Sequence, residues 1–297
     1  MGRLHVKKKE MKKILKRALN WIVKGVPINN VTVNIVELSP NELLANRRAL
    51  ITGGTSGIGY EISKCFLKAG ASVVITGRNS KKLQIACASL KEETKSNNIV
   101  GLVLDNSDVN SFQNKISEIM SFYGGVDILV NNAGVLTYNT ISNEDEETYD
   151  KVLDTNLKGL FFLSQQIGRY MIENKIKGNI LNVGSSSCIR PAISAYTLSK
   201  WGVRGLTLGL AKALAPYGIT VNGIAPGQTL TGMVPNHEDI ENIYRENIPL
   251  GRYILPEEIA NMAVMLVSDM GRAIMGDMVY MTGGAGILTY EDIIYKF

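Results

Sequence analysis

Cysteine, histidine and long apolar runs are scarce in this chain of 297 residues. It has three cysteines and two histidines. The cysteines, Cys65, Cys87 and Cys188, lack metal-like spacing, and so sparse and odd a set indicates a reducing compartment rather than a disulfide framework. The sequence has no run of 18 apolar residues, so we predict no membrane span. No cluster of histidine, cysteine and acidic residues predicts a metal site.

Positive charge is scarce outside the first 24 residues. Residues 1–24 hold nine Lys/Arg and one acid, whereas the rest of the chain holds 23 basic and 26 acidic residues. The net charge of +5 therefore comes from a short basic arm on a mildly acidic body. Such a body gives no reason to expect nucleic-acid binding.

Residues 8–24 of the arm show the period of a basic amphipathic helix, with apolar residues every three or four positions. Such a helix could lie on an anionic membrane surface. The alternative is that its apolar stripe packs on its own domain or on a neighbouring subunit. The segment lacks the apolar core of a secretory signal. We predict an arm over residues 1–43 and one domain over residues 44–297. We also predict a cytoplasmic protein, and whether residues 8–24 make a peripheral membrane contact is left open by the sequence.

Apolar strands alternate with helical patterns from residue 44 onward. The predicted strands are "RRALITGG", "ASVVITGR", "NIVGLVLD", "VDILVNNAG", "GNILNVGSS", "ITVNGIAPG" and "DMVYMTGG". The helical patterns include one long stretch over residues 144–173, one over 195–215 and one over 256–267. A further short strand is predicted over Val31–Leu38 in the arm. Apolar strands separated by helices predict an α/β fold: a doubly wound, Rossmann-type parallel sheet of seven strands with helices on both faces.

The first predicted strand runs into the glycine turn "TGGTSGIG". Gly53 permits the tight turn, Gly57 lets the backbone approach a pyrophosphate, and Gly59 lets the following helix pack against the strand. The helix N-terminus offers free N–H donors to phosphates. Because the motif lies between a buried strand and a helix, it predicts a dinucleotide site.

The second predicted strand ends in "TGRN", where an NAD site usually carries an acid for the ribose 2′-hydroxyl. Arg78 stands there instead. A guanidinium suits a 2′-phosphate, so we predict NADP(H) in preference to NAD(H). The alternative is that Arg78 is a solvated residue at the end of a strand.

With "TGGTSGIG", "NNAG", "TNLKG", "AYTLSK" and "IAPG" in this order, residues from about 44 to 286 resemble the short-chain dehydrogenase/reductase family. The resemblance implies a Rossmann-type sheet, a nicotinamide cofactor and hydride transfer to or from a carbonyl carbon. It also implies a homodimer or homotetramer, with contacts along the helices around residues 157–171 and 203–214.

The resemblance assigns the catalytic roles to Asn156, Ser185, Tyr196 and Lys200. Ser185 lies eleven residues before Tyr196, about two fewer than is usual in the family, so Ser186 and Ser187 remain alternatives for the serine. The motifs and the resemblance together predict the residues that contact the cofactor. These are Gly53, Thr55, Ser56, Gly57, Ile58, Gly59, Arg78, Asn79, Asp105, Asn106, Asn132, Ala133, Gly134, Tyr196, Lys200, Pro226, Gly227, Thr229 and Thr231.

The pair Tyr196 and Lys200 lies one helical turn apart on the same helix face. A free tyrosine has a pKa near 10, and we expect the lysine cation and the oxidised nicotinamide to lower the pKa of Tyr196. The phenol would then exchange a proton with the substrate, while Ser185 orients the substrate oxygen. Asn156 would anchor a water that relays protons from Lys200, or would only kink its helix.

The stretch from Gln228 to Arg252 follows the sixth strand and is expected to form a lid. Its polar and acidic composition suits a neutral polyol, sugar or small ketone. We therefore expect an NADP(H)-dependent oxidoreductase acting on a small carbonyl or secondary alcohol substrate. The alternatives are a 3-oxoacyl thioester reductase and, in another class, a dinucleotide-binding scaffold attached to a membrane or partner through its arm.

Overall fold

A parallel sheet of seven strands forms the centre of the computed structural model, which describes residues 15, 16, 19, 41–232 and 243–289. The order across the sheet is β3-β2-β1-β4-β5-β6-β7, and every neighbouring pair is parallel. The predicted fold class and the seven predicted strands of the domain are thus confirmed. The strands are β1 (Arg48–Thr52), β2 (Ser72–Gly77), β3 (Ile99–Val103), β4 (Ile128–Asn131), β5 (Asn179–Val183), β6 (Thr220–Pro226) and β7 (Met278–Met281).

Seven α-helices connect or follow these strands in the described part of the chain. They are α1 (Gly57–Lys68), α2 (Ser80–Thr94), α3 (Phe112–Tyr123), α4 (Glu146–Leu153), α5 (Gly159–Glu173), α6 (Ala195–Leu214) and α7 (Pro256–Val267). The last begins and ends at the residues predicted for it. The helix predicted over residues 144–173 is interrupted, because a π-helical turn at Asp154–Lys158 separates α4 from α5.

Alternate residues of each strand face two separate apolar cores. In β1, Ala49 and Ile51 belong to the core covered by α1, α2 and α7, whereas Leu50 belongs to the core covered by α3, α5 and α6. The same alternation continues in the neighbouring strands. This is why the strands read as continuous apolar runs in the sequence: both faces of the sheet are buried.

The strand order places one crevice at the carboxyl edge of the sheet. From β1 the chain moves outward through β2 to β3, and it then returns to place β4 on the other side of β1. The loops that follow β1 and β4 therefore leave in opposite directions, and ligands of doubly wound sheets bind at this divergence. Because all seven strands are parallel, the loops after β2, β5 and β6 reach the same edge.

The opposite edge of the sheet carries a buried carboxylate. Asp127, at the start of β4, accepts hydrogen bonds from Arg47 Nε at 2.6 Å and Arg48 Nε at 3.0 Å. It also accepts the backbone N–H of Arg48 at 3.1 Å. The side chain of Asp127 is 9% exposed, so these donors replace water around its charge. The cluster ties the start of β1 to the start of β4.

Most of the predicted arm lies outside the described residues, including the strand predicted over Val31–Leu38. Leu15, Lys16 and Leu19 of the predicted amphipathic helix are helical, and the two leucines are 60% and 63% exposed. At the predicted start of the domain, Leu44 is fully buried in the core under α1. Of the helices described, none is long and apolar enough to cross a membrane.

We predict that Asp127→Ala lowers the free energy of unfolding by about 2–3 kcal/mol, because it leaves two partly buried guanidinium groups without their carboxylate. Urea denaturation with the folded fraction followed by circular dichroism measures the change. The control is Asp269→Ala, since the Asp269–Arg272 pair is 3.6 Å long and exposed on both sides; it should cost less than about 0.5 kcal/mol. Equal losses in the two variants would contradict the role given to Asp127.

Candidate active site

A cavity of about 1030 Å³ opens at the carboxyl edge of the sheet. Its volume lies at the upper end of the range for small-molecule and cofactor sites. Most of the predicted site residues line it: Gly53, Thr55, Ser56, Gly57, Ile58, Arg78, Asp105, Asn106, Asn132, Ala133, Gly134, Ser185, Tyr196, Lys200, Pro226, Gly227, Thr229 and Thr231. Three predicted residues do not line it, namely Gly59, Asn79 and Asn156. Each of the three packs behind the wall or at a helix end.

The glycine turn after β1 lets neighbouring groups come close to its backbone. Gly53 and Gly57 have φ values of +66° and +56°, in the left-handed region that favours glycine. A Cβ on Gly53 would stand 2.9 Å from Ala133 Cα, and one on Gly59 would stand 2.4 Å from Gly53 O. Gly59 therefore lets α1 pack against the end of β1, whereas Gly53 and Gly57 shape the cavity wall.

A hydrogen-bond network fixes the ends of β1 and β4 to each other. Thr52 Oγ1 accepts the backbone N–H groups of Asn132 and Ala133, both at 3.0 Å. Asn132 Nδ2 donates to Thr52 O at 2.9 Å and to Gly53 O at 3.1 Å. Since β1 and β4 flank the divergence of the sheet, this network holds the floor of the cavity rigidly.

Two cations line the cavity beyond the end of β2. Arg78 lies there as predicted, and Lys82 lies one helical turn further on and lines the same wall. Asn79 does not contribute to that wall, contrary to expectation: its side chain accepts the backbone N–H of Lys82 at 2.9 Å and caps α2. Lys82 was missed because the prediction stopped at the end of the strand. Arg78 precedes the helix that contains Lys82, so helical spacing gave no signal for this second cation.

Ser185, Tyr196 and Lys200 come together where β5 meets α6. Ser185 follows β5, and its hydroxyl group lies close enough to the phenol of Tyr196 to lower the pKa of that phenol. The competing serines, Ser186 and Ser187, lie in the 3₁₀ turn beyond and do not line the cavity. The Ser185 hydroxyl also accepts the N–H of Ser187 at 3.1 Å, which fixes its rotamer.

Lys200 is buried beneath Tyr196. Its Nζ donates to Val183 O, the carbonyl at the end of β5, at 2.9 Å, and lies 5.7 Å from the centroid of the Tyr196 ring. Removal from water lowers the pKa of Lys200 to about 8, because burial disfavours the charged form. The ammonium group is therefore still mainly protonated at neutral pH, but only narrowly so.

The pKa of Tyr196 is raised, whereas the sequence predicted that it would be lowered. Burial raises it first, and the hydrogen bond to Ser185 lowers it by less. The sequence argument considered the charges of Lys200 and of the nicotinamide but not the removal of the phenol from water. In the protein alone the phenol is thus held in its protonated form, the form that can donate.

Asn156 lies in the π-helical turn and uses its side chain to hold neighbouring elements. Its Oδ1 accepts the N–H of Val135 at 2.8 Å, and its Nδ2 donates to Val135 O at 2.9 Å and to Ser199 Oγ at 3.2 Å. Both amide protons are thereby used within the protein. The side chain therefore anchors the loop after β4 to the helix that carries Tyr196, and π turns of this kind are frequent at functional sites.

Glu144 is a second anchor of α6 that the sequence did not reveal. Its Oε2 accepts the N–H of Ala195, the first residue of α6, at 2.9 Å. A capping box of Ser194 and Thr197 satisfies further N–H groups of the same turn. The carboxylate suits the positive end of the helix dipole. The contact joins residues 51 positions apart, and nothing in the local pattern around Glu144 points to it.

The predicted lid is described at its two ends, since residues 233–242 lie outside the described part. Leu230 N donates to Ile254 O and Ile254 N to Gln228 O, at 2.9 and 3.0 Å. These bonds place the far end of the lid segment directly beside the end of β6. Arg245 and Tyr253 of that end line the cavity, although the sequence did not single them out.

Comparison with known proteins gives one consistent result. A family model described as short chain dehydrogenase matches residues 47–242. A 3alpha-hydroxysteroid dehydrogenase of Mediterraneibacter gnavus is 36% identical over 246 residues, which cover 82% of this chain and 98% of that protein. A 3-oxoacyl-(acyl-carrier-protein) reductase of Chlamydia muridarum is 35% identical over 248 residues, covering 82% and 99%.

Solved structures agree with these sequence relatives. A short chain dehydrogenase from Burkholderia cenocepacia in complex with NADP gives a TM-score of 0.72 at 30% identity, covering 82% of this chain and 98% of that one. A 3-ketoacyl-(acyl-carrier-protein) reductase from Brucella melitensis complexed with NADH gives a TM-score of 0.73 at 28% identity, covering 82% and 100%. Similar folds are thus seen with either nicotinamide cofactor.

The lowered pKa of Lys200 predicts how stability varies with pH. Above about pH 8 the native lysine releases its proton, whereas the unfolded chain keeps that proton up to about 10.5. Stability rises with pH wherever the unfolded state binds more protons. Relative to Lys200→Met, the wild-type chain should therefore gain about 1 kcal/mol per pH unit between pH 8 and 10. Urea unfolding of both proteins at several pH values measures this difference, and a constant difference would refute the burial argument.

Proposed function

Because the chain belongs to the short-chain dehydrogenase family, whose members act on CH–OH and C=O groups, we propose that it interconverts a carbonyl compound and its secondary alcohol with NADP(H). Ser185, Tyr196 and Lys200 are the proposed catalytic residues, and Asn156 is a positioning residue. The single observation that carries the proposal is that Ser185, Tyr196 and Lys200 line the same cavity as the glycine turn.

The residues present fit a nicotinamide dinucleotide. Gly53 and Gly57 leave a cradle that a Cβ would fill or strain, and α1 begins at Gly57 with its N-terminus at the cavity, a favourable place for a pyrophosphate. Gly53, Gly57, Asn132 and Thr229 would hold the cofactor along the floor. When bound, the cofactor would supply or accept the hydride.

The chain's own hydroxyl groups act on the substrate oxygen. Tyr196 Oη donates its proton to that oxygen as it gains negative charge, and Ser185 Oγ donates a second hydrogen bond that orients it. The raised pKa of Tyr196 keeps the phenol protonated until the substrate oxygen needs the proton. In the alcohol-oxidising direction the same atom receives the proton.

Lys200 makes that proton transfer easier. Its ammonium group lies near the phenol ring and is fixed by Val183 O. An adjacent cation favours the phenolate that remains when Tyr196 has given up its proton. Asn156 and Glu144 contribute by holding α6, and with it Tyr196, against the loops on either side.

Preference for NADP(H) is supported by the charges at the end of β2. Arg78 and Lys82 both line the cavity there, and no acid occupies the first turn of α2. An acid at this place would hold a ribose hydroxyl and repel a phosphate, whereas two cations attract a 2′-phosphate.

A second candidate substrate class is the 3-oxoacyl thioester, because a 35% identical relative carries that activity in its name. Oxidation of NADPH, followed at 340 nm with ketones, sugars and acetoacetyl thioesters, distinguishes the two classes. We also propose a homodimer or homotetramer. It is supported by apolar side chains on α5 and α6 that are 37–56% exposed: Phe161, Phe162 and Leu208.

We predict that Tyr196→Phe keeps NADPH binding within about twofold but lowers kcat by at least about 100-fold, since only the proton donor is removed. Fluorescence titration measures NADPH binding, and steady-state assays with the best carbonyl substrate measure turnover. Tyr217→Phe is the matched control, because Tyr217 is 53% exposed and is absent from the cavity wall. Turnover in Tyr196→Phe equal to that of the control would exclude the assigned role.

We predict that Arg78→Asp changes the cofactor preference toward NAD(H) by at least about tenfold in the ratio of kcat/KM values. The new carboxylate repels a 2′-phosphate and accepts a bond from the ribose hydroxyl. Kinetics with NADPH and NADH at fixed substrate give the ratio. Arg78→Met separates loss of the cation from gain of the acid. An unchanged ratio in both variants would show that Arg78 does not read the phosphate.

A further inference from the structure

A short hairpin-like segment forms the wall of the cavity after the undescribed part of the lid. Arg245 N donates to Gly251 O at 2.9 Å, and Tyr253 N donates to Ile243 O at 3.0 Å. Arg252 anchors the segment to α7 through two bonds to the Glu258 carboxylate, at 2.7 and 2.8 Å. The backbone around Arg245 is therefore tied to the body of the domain at several points.

The guanidinium of Arg245 is stacked on a buried aromatic ring. Its Cζ lies 4.3 Å from the ring centroid of Tyr253, which is 3% exposed. A guanidinium that lies over an aromatic ring still has N–H groups that can donate. Both side chains line the same cavity as Ser185 and Tyr196. Arg245 is thus an exposed cation on the cavity wall that packs on a buried ring.

Arg245 lies apart from Arg78 and Lys82, the two cations beyond the end of β2. The Tyr253 backbone continues into Ile254, which pairs with Gln228 and Leu230 just after β6, and β6 is the neighbour of β5, after which Ser185 stands. Arg78 follows β2, four strand spacings from β6, or about 19 Å at 4.8 Å per strand. Arg245 and Arg78 are therefore attached to loops on opposite sides of the divergence between β1 and β4.

Nothing among the described residues neutralises Arg245. The described wall of the cavity includes one carboxylate, Asp105, which follows β3 at the far side and accepts bonds from the N–H and hydroxyl of Ser107. No ion pair within the described part of the chain involves Arg245. Within the described part of the chain, the guanidinium of Arg245 therefore has no carboxylate partner.

We propose that the stacked pair Arg245–Tyr253 binds the carboxylate or phosphate group of an anionic carbonyl substrate, so that this chain acts on oxo acids or similarly charged carbonyl compounds. The inference rests on the proposed function of the site. It differs from the neutral polyol, sugar or small ketone expected from the composition of the lid, since that composition does not reveal which side chain faces the cavity. Arg245 would donate two parallel N–H hydrogen bonds to a planar carboxylate.

Matched acid and ester pairs test this proposal. Isothermal titration of the full chain, saturated with NADP⁺, gives the Kd values of 4-oxopentanoate, 5-oxohexanoate and their methyl esters. Wild-type protein should bind each acid at least about tenfold more tightly than its ester, which corresponds to about 1.4 kcal/mol. Arg245→Gln should bring the ratio close to one, and Arg245→Lys should restore part of it, since the charge returns without the planar fork.

Arg272→Gln is the control for net charge, because its guanidinium lies on the surface, 64% exposed; it should keep the wild-type ratio. Three results would overturn the proposal. The wild-type chain could bind acids no more tightly than esters. Arg245→Gln could weaken NADP⁺ itself, which would assign the cation to the cofactor's pyrophosphate. The variant could lower the Tm with no change in the acid-to-ester ratio, which would make the stack structural.

Failure of this proposal is distinguishable from failure of the proposed function. The acid-to-ester ratio is an equilibrium measurement and needs no turnover. Turnover retained in Tyr196→Phe would refute the catalytic assignment but leave the ratio interpretable. Conversely, a ratio of one with normal loss of turnover in Tyr196→Phe would refute only the anion site.

Discussion

A buried ammonium group bonded to the last carbonyl of a central strand is the interaction on which the candidate site depends. Lys200 Nζ and Val183 O, 2.9 Å apart, join α6 to β5 at the point where Ser185 leaves the sheet. Burying a charged group is unfavourable unless it finds hydrogen-bond partners. Burial therefore lowers the pKa of Lys200, because it disfavours the protonated form. The same burial places the Lys200 cation beside the phenol of Tyr196. Burial lowers the pKa of Lys200 and raises the pKa of Tyr196, so the packing disfavours the charged form of each group.

The amino edge of the sheet carries a stabilising ion-pair cluster, whereas the carboxyl edge carries the candidate site. At the amino edge, Asp127 has all its strong donors within the protein and ties β1 to β4. At the carboxyl edge, Thr52 and Asn132 tie the same two strands through their loops. The crevice between them is therefore bounded by strands fixed at both ends, which holds the glycine turn in place.

Sequence reasoning identified what is encoded locally and missed what depends on distant packing. The strands, the glycine turn and the approximate position of Arg78 follow from apolar runs and from residue types with special backbone freedom. The roles of Glu144 and Arg245 do not, because each contact joins segments brought together only by the fold. Asn79 was assigned to the cofactor since it adjoins Arg78, yet a residue that precedes a helix is just as well suited to cap it. For Tyr196, the pattern of charges was visible in the sequence, but its removal from water was not.

Four cations line the described part of the cavity, and their positions bear on the substrate as well as on the cofactor. Arg78 and Lys82 face one end, Lys200 lies buried at the centre, and Arg245 lies on the wall beyond β6. In the proposed function, Arg78 and Lys82 would bind the 2′-phosphate of NADP(H), and Lys200 would favour the phenolate form of Tyr196. Arg245 has no carboxylate partner among the described residues, and its exposed guanidinium lies over the buried ring of Tyr253. In the proposal made above, the charge of the substrate accounts for this cation. Specificity within a shared fold is best sought in the wall residues that do not serve the cofactor.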